Sequence, residues 1–181
     1  MRNLAAVRSL PLVTASLGVD PLPPLTRFIL RAGPQVRALA EAAFGVGIPD
    51  IACRAATDGV RSALWLGPDE WLLLASEADA VAVAAALDAA LRLRPHSLVD
   101  VSHRQGALRV SGSCATTLIS AGCPLDLDVA AFPVGMCTRT MLGKAEVVLW
   151  RTADQAFHLE VWRSFINYVS LFLAEAARGI I

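Results

Sequence analysis

Leu64-Trp65-Leu66-Gly67-Pro68-Asp69-Glu70-Trp71-Leu72-Leu73-Leu74 reads as two apolar strands joined by a polar turn, with Pro68 presetting the turn backbone. A counterpart follows later as Val147-Val148-Leu149-Trp150-Arg151, a polar turn, and Phe157-His158-Leu159-Glu160-Val161-Trp162. Outward from each hairpin the surroundings also match. Phe28-Ile29-Leu30-Arg31-Ala32-Gly33 precedes the first, and Ala107-Leu108-Arg109-Val110-Ser111-Gly112 precedes the second. In both cases a helix-like stretch separates strand from hairpin, and a long apolar helix follows. The pattern recurs at roughly 80 residues. It predicts an α+β fold of two pseudo-repeated α/β halves, with antiparallel or mixed sheets and packed helices. The repeat constrains architecture and says little about chemistry.

Three segments follow from this reading: an extended, proline-containing arm over 1–24, a first α+β half over 25–95, and a second over 96–181, the halves forming one intimately packed body. Pro11, Pro21, Pro23 and Pro24 deny the arm a long helix. Leu4, Val7, Leu10, Leu12, Val13 and Leu17 make it too apolar for an ordinary solvated tail. An arm lying along another surface reconciles the two observations; a disordered tail is the alternative. Strands are expected at Leu25 to Ala32, Ile51 to Thr57, Arg61 to Leu66 and Trp71 to Ala75, with Asp58-Gly59 as a turn pair. Gly33-Pro34 opens a helix that Gly45 and Gly47 end, and Ser76 with Asp79 resembles a capping box before the next. Pro95 marks the junction. Beyond it, strands are expected at Ser97 to Ser102, Ala107 to Ser111, Cys137 to Leu142, Glu146 to Arg151 and Phe157 to Trp162. Residues 123–135 read as irregular. A final helix over about Ser164 to Ala177 carries Phe165, Ile166, Val169, Phe172 and Leu173, a stripe wide for a helix with one wet face.

Composition narrows the function classes. The 181 residues carry sixteen basic and sixteen acidic side chains, so the formal charge is zero. A nucleic-acid partner calls for a basic stripe, and none is visible. Mean hydropathy is +0.54, yet alanine supplies much of it and no uninterrupted apolar run spans a bilayer. An alanine-rich core and surface covered by partner subunits both account for the surplus. Arg8, Pro11 and Asp20 interrupt the apolar stretch a signal peptide needs. Cys53, Cys114, Cys123 and Cys137 show no CxxC spacing, and free thiols in a reducing cytoplasm are expected.

Candidate chemistry is sparse. Asp100, Ser102 and His103 have the residue types of a hydrolase triad, but on a strand His103 points away from the other two. A turn in which Asp100 or Ser102 holds local backbone is the better account. Cys114, Cys123 and His103 lack the tight ligand pairs of a structural zinc site. Gly112-Ser113 before a helix has the form of an anion site, but Gly33-Pro34 at the equivalent place points to a shared turn. No GxGxxG or Walker sequence is present. Trp65, Trp71, Trp150 and Trp162 fall on strands, as core or interface anchors rather than a cofactor-stacking platform. Arg139, Arg163 and Lys144 have the charge to face an acidic substrate, although isolated cations are usually solvated. No acid, base or nucleophile stands out, so the catalytic set is read as none, the cofactor set as none and the metal set as none.

Several stretches in order carry a resemblance: Trp65 to Leu73, Val99-Asp100-Val101-Ser102-His103-Arg104, Gly122-Cys123-Pro124-Leu125-Asp126-Leu127, Phe132-Pro133-Val134-Gly135, and Val161-Trp162-Arg163-Ser164-Phe165 before a helix. From about residue 25 onward the chain resembles the gamma subunits of heterotetrameric sarcosine oxidase. That resemblance implies a relative of the folate-dependent aminomethyltransferase fold. It implies a complex that demethylates sarcosine to glycine, passes the one-carbon unit to tetrahydrofolate and releases hydrogen peroxide. FAD, FMN, NAD and tetrahydrofolate would belong to alpha and beta partners, and zinc to a small delta partner. The gamma chain itself is expected to hold no cofactor and to brace the assembly, with possible self-association when isolated. Folate-binding relatives carry a Lys-Gly-Cys-Tyr-x-Gly-Gln-Glu motif. Here the similar place reads Val134-Gly135-Met136-Cys137-Thr138-Arg139-Thr140, without the Gln-Glu pair. A free-standing folate-binding or one-carbon transfer protein is the alternative function. The expected partner surface comprises Leu10, Leu12, Val13 and Leu17 of the arm, with Phe165, Val169 and Phe172 of the final helix.

Overall fold

Two continuous apolar runs and a proline-preset turn produce the first hairpin as expected. In the computed structural model, which describes residues 16–180, β4 (Ser62–Gly67) and β5 (Glu70–Ser76) pair antiparallel, with a bulge between Trp65 and Gly67. On the other side of β5 lies β2 (Leu25–Ala32), in register from Leu25↔Ser76 to Arg31↔Glu70. β3 (Ala55–Thr57) flanks β4 and β6 (His96–Asp100) flanks β2, giving the order β3-β4-β5-β2-β6. Phe28, Leu30, Trp71 and Leu73 share one face of this sheet. They form a core with Val36, Ala40 and Phe44 of α1 (Pro34–Phe44) and Val83, Leu87 and Leu91 of α2 (Ala80–Leu91). Pro34 sits in the first turn of α1, and Gly45 closes it in the left-handed conformation, φ 81°. Beyond Gly45 the chain is tied back: the Arg37 guanidinium donates to the Ile48 carbonyl, and the Trp71 indole N–H donates to the Pro49 carbonyl at 2.7 Å.

The second sheet repeats this plan with one exchange. β7 (Gln105–Ser111), β10 (Ala156–Trp162), β9 (Ala145–Ala153) and β8 (Cys137–Leu142) lie in the order β7-β10-β9-β8. They take the places of β2, β5, β4 and β3. Helices α3 (Ala115–Ser120) and α4 (Ile166–Ala177) take the places of α1 and α2. The fifth place, filled by β6 in the first sheet, is filled here by β1 (Gly18–Pro21), paired with β7 from Gly18↔Ser111 to Pro21↔Leu108. Proline is tolerated because β1 is an edge strand.

The chain divides into two compact units, one of residues 24–102 with 135–138, the other of residues 16–23, 103–134 and 139–180 among those described. The division falls between Ser102 and His103, whereas the sequence reading set it at Pro95. Proline stopped the helical pattern there, but β6 beyond it bonds to β2. The stretch read as an arm over 1–24 likewise contains a sheet strand, and Leu17 is buried. The strand expected from Ile51 is shorter, because Cys53 adopts φ 58° and turns the backbone before Ala55. Leu10, Leu12 and Val13 lie outside the described residues.

Candidate functional site

Helix α4 turns Ile166, Val169, Leu173 and Ala177 inward, a spacing of three and four that forms one buried stripe. The opposite flank is aromatic rather than polar. Phe165 meets the Tyr168 ring edge-on at 6.4 Å, and Tyr168 stacks on Phe172 at 6.3 Å. Trp162, at the end of β10, lies apart from this series, with the Arg104 guanidinium 5.2 Å from its ring centre. The Tyr168 hydroxyl accepts the Lys144 amide N–H at 3.0 Å, and Arg163 N–H donates to the Arg104 carbonyl at 2.8 Å. Gly122 and Gly143 provide the room: a Cβ on the former would overlap Phe172, and on the latter Tyr168. Trp162 is 43 % exposed, Phe165 41 % and the neighbouring Leu171 65 %. Phe165, Tyr168 and Phe172 thus form one aromatic series along α4, exposed at Phe165 and half-buried at the other two.

Of the surface residues expected from sequence, Phe165 is exposed and Phe172 half-buried, both in this series. Leu17, at 1 %, and Val169, at 0 %, are buried. Trp162 was read as a core or interface anchor, and Tyr168 was not singled out. The recurrence of aromatic residues at 165, 168 and 172 was the available signal; treating the whole apolar stripe as one face obscured it.

The other constellations resolve into structure. Ser102 Oγ accepts the Arg27 N–H at 2.9 Å, and Asp100 Oδ1 accepts the Ser102 N–H at 2.8 Å, so both hold local backbone. His103 is exposed. At the start of α3, Cys114 N–H donates to the Ser16 carbonyl and Ala115 N–H to the Gly112 carbonyl, which occupies amides an anion would need. All four cysteines are free thiols. The place of the folate-motif cysteine is filled by packing: Cys137 N–H donates to the Cys53 carbonyl at 3.0 Å, and its Sγ contacts the Trp65 carbonyl at 3.5 Å. Burial pushes that thiol up to about 12. Among the described residues no His, Cys, Asp and Glu cluster can hold a metal ion, and no helix is long and apolar enough to cross a membrane.

Two buried polar sites escaped the sequence reading. Arg151 reaches the Phe132 carbonyl at 2.7 Å, the Asp154 carbonyl at 3.0 Å, and both the Leu127 carbonyl and Thr116 Oγ1 at 3.3 Å. Its guanidinium also lies 4.8 Å from the Phe157 ring centre. This single cation gathers the irregular 123–135 segment. His158 Nε2 and Glu160 Oε1 are 2.7 Å apart on β10, both buried, and the His158 ring lies 5.7 Å from Trp150. Their alternation with Phe157, Leu159 and Val161 is the pattern of a wet strand face, which is why sequence hides the pair.

A family model described as "Sarcosine oxidase, gamma subunit family" matches residues 31–179. The chain is 36 % identical over 140 residues to a sarcosine oxidase subunit gamma of Corynebacterium sp. strain P-1, covering 77 % of this chain and 68 % of that one. It is 35 % identical over 154 residues to the corresponding subunit of Corynebacterium sp. strain U-96, covering 83 % and 74 %. Among solved structures, a chain of the heterotetrameric sarcosine oxidase from Corynebacterium sp. U-96, in complex with pyrrole 2-carboxylate, superposes with a TM-score of 0.85 at 32 % identity, covering 90 % of this chain and 84 % of that chain. The glycine cleavage system aminomethyltransferase T from Bartonella henselae superposes with a TM-score of 0.70 at 12 % identity, covering 91 % and 47 %, a likeness of fold alone.

Proposed function

This chain belongs to the sarcosine oxidase gamma subunit family, and on that premise we propose that it is a non-catalytic, structural subunit of a heterotetrameric sarcosine oxidase. The observation that carries the reading is the match to a chain of the Corynebacterium complex over nine-tenths of this chain's length. Alpha, beta and delta subunits are its partners. Sarcosine is demethylated to glycine, with the one-carbon unit passing to tetrahydrofolate and hydrogen peroxide released. FAD, FMN, NAD and tetrahydrofolate reside in the partner subunits, and the assembly works in the cytoplasm. The residues of this chain support the division of labour. Asp100 and Ser102 hold backbone, Cys137 is enclosed, and Arg151 and the His158–Glu160 pair lie inside the fold.

Co-expression of the tagged chain with the alpha, beta and delta subunits tests the reading. A yellow complex that oxidises sarcosine should co-purify with the chain, and omission of the chain should lower the yield of assembled complex more than the turnover per flavin. Equal assembly and activity without the chain would overturn a structural role. Titration of the isolated chain with tetrahydrofolate should show no saturable binding, since the backbone and thiol of Cys137 are occupied by Cys53 and Trp65.

A further inference from the structure

Cys53 and Cys137 are two thiols that the backbone sets face to face. Arg54 and Met136 form an isolated antiparallel bridge, flanked by Ala55 N–H donating to the Gly135 carbonyl at 2.8 Å and Cys137 N–H donating to the Cys53 carbonyl at 3.0 Å. One step from that bridge, Cys53 and Cys137 stand opposite each other, where antiparallel Cα atoms lie about 5.5 Å apart. A disulfide spans about 4.4–6.8 Å between Cα atoms. The side chains converge as well. Trp65 N–H donates to the Arg54 carbonyl at 3.0 Å, and Cys137 Sγ contacts the Trp65 carbonyl at 3.5 Å, so the Cys137 thiol is turned toward the stretch that carries Cys53. Burial is the chief cause that raises the Cys137 pKa, and the Cys53 sulfur is near enough to raise it further by charge. Both are free thiols, Cys53 half-buried and Cys137 buried. Cys114 and Cys123 are no such pair, since they stand at opposite ends of α3, about 10 Å or more apart along its axis.

We propose that Cys53 and Cys137 form a hydroperoxide-sensitive pair that closes into a disulfide. Cys53, the reachable sulfur, takes one oxygen from hydrogen peroxide: the O–O bond breaks, an S–O bond forms, and the other oxygen leaves as water. The Cys137 sulfur then attacks the Cys53 sulfenic acid. The S–S bond forms, the S–O bond breaks, and the hydroxyl leaves with the Cys137 proton as a second water. In all, the two thiols lose two electrons and one peroxide gains them. The subunit role above supplies hydrogen peroxide, but the pair needs only a hydroperoxide and stands whether or not that role does. Closure ties the start of β8 to the turn at Cys53.

The test treats the purified full-length chain with hydrogen peroxide, blocks the remaining thiols and maps cross-linked peptides by mass spectrometry. The parent should lose two thiols and the mass of two hydrogens, yield a peptide joined through Cys53 and Cys137, and revert with a phosphine reductant. Cys53→Ser, shown by circular dichroism to fold like the parent, should lower the yield of intramolecular disulfide at least about tenfold. A chain carrying Cys114→Ser and Cys123→Ser should retain the parent's yield. Stable sulfinic acid at Cys53 without the cross-link would show the two sulfurs to be out of reach and overturn the pair. A cross-link through Cys114 or Cys123, or between two copies of the chain, would overturn it as well. So would intact thiols in the folded chain at a peroxide level that oxidises the unfolded one.

Discussion

Gly33 and Gly112 occupy equivalent places in the two repeats, yet they do different work. Gly33 has φ −76° and open space where a Cβ would stand, whereas Gly112 has φ 112° and lies against the Ser16 backbone. Gly33→Ser should therefore supply the missing side-chain cap of α1 and stabilise the protein by roughly a few tenths of a kcal/mol. Gly112→Ala should destabilise it by about 2 kcal/mol or more, through strain and overlap. Urea unfolding of the two variants reads the opposite signs directly. Arg151→Met removes the donors that bind the Leu127, Phe132 and Asp154 carbonyls, and a loss of about 3 kcal/mol is expected. Faster amide exchange in 123–135 would place the effect where the geometry does. Cys137, held near 12 by burial, should resist thiol reagents at mildly alkaline pH until the chain unfolds, while the part-exposed Cys53 and Cys114 react in the folded state. Labelling of Cys137 at native rates would contradict its packing.

At the scale of elements, local chemistry placed most boundaries and failed where pairing is remote. Leu25 to Ala32 was legible because it centres on the apolar run Phe28-Ile29-Leu30 and ends at Gly33, and α1 because Pro34 and Gly45 bracket it. The turn between β3 and β4 was legible in Asp58-Gly59. There Asp58 Oδ1 accepts the Arg61 N–H at 2.7 Å and the Val60 N–H at 2.8 Å, and these bonds hold its carboxyl below the ordinary 3.8. A lowered folded-state pKa means stability present above 3.8 and lost as pH falls through the folded value. Asp58→Ala should lower the urea midpoint at neutral pH, and the gap from the parent should close in strong acid. A gap independent of pH would remove the carboxylate from the account. By contrast, β6 and β1 could not be assigned to their sheets, since nothing local in His96–Asp100 or Gly18–Pro21 names the strand across from it. Deleting residues 1–24, which removes β1 and the buried Leu17, should lower the melting temperature markedly. A free arm over the same span would leave it unchanged.

For the whole molecule, composition and order carried the family reading further than any single residue did. Five short stretches in sequence order sufficed for the resemblance, and the match over residues 31–179 bears it out. The candidate surface was only half legible. Phe165 and Phe172 followed from the apolar width of the final helix, but Val169 in the same stripe is buried, because the helix rotation that separates a core face from a wet one is set by what packs beneath it. By itself the sequence determined the repeat, most elements of each half and the membership of a family, since these depend on period, turn residues and residue order. Only the tertiary structure decided that β1 and β6 complete their respective sheets, that Arg151 and the His158–Glu160 pair are buried, and that Tyr168 joins Phe165 and Phe172 in one aromatic series. Those outcomes depend on contacts between residues far apart in the chain, which local pattern does not encode.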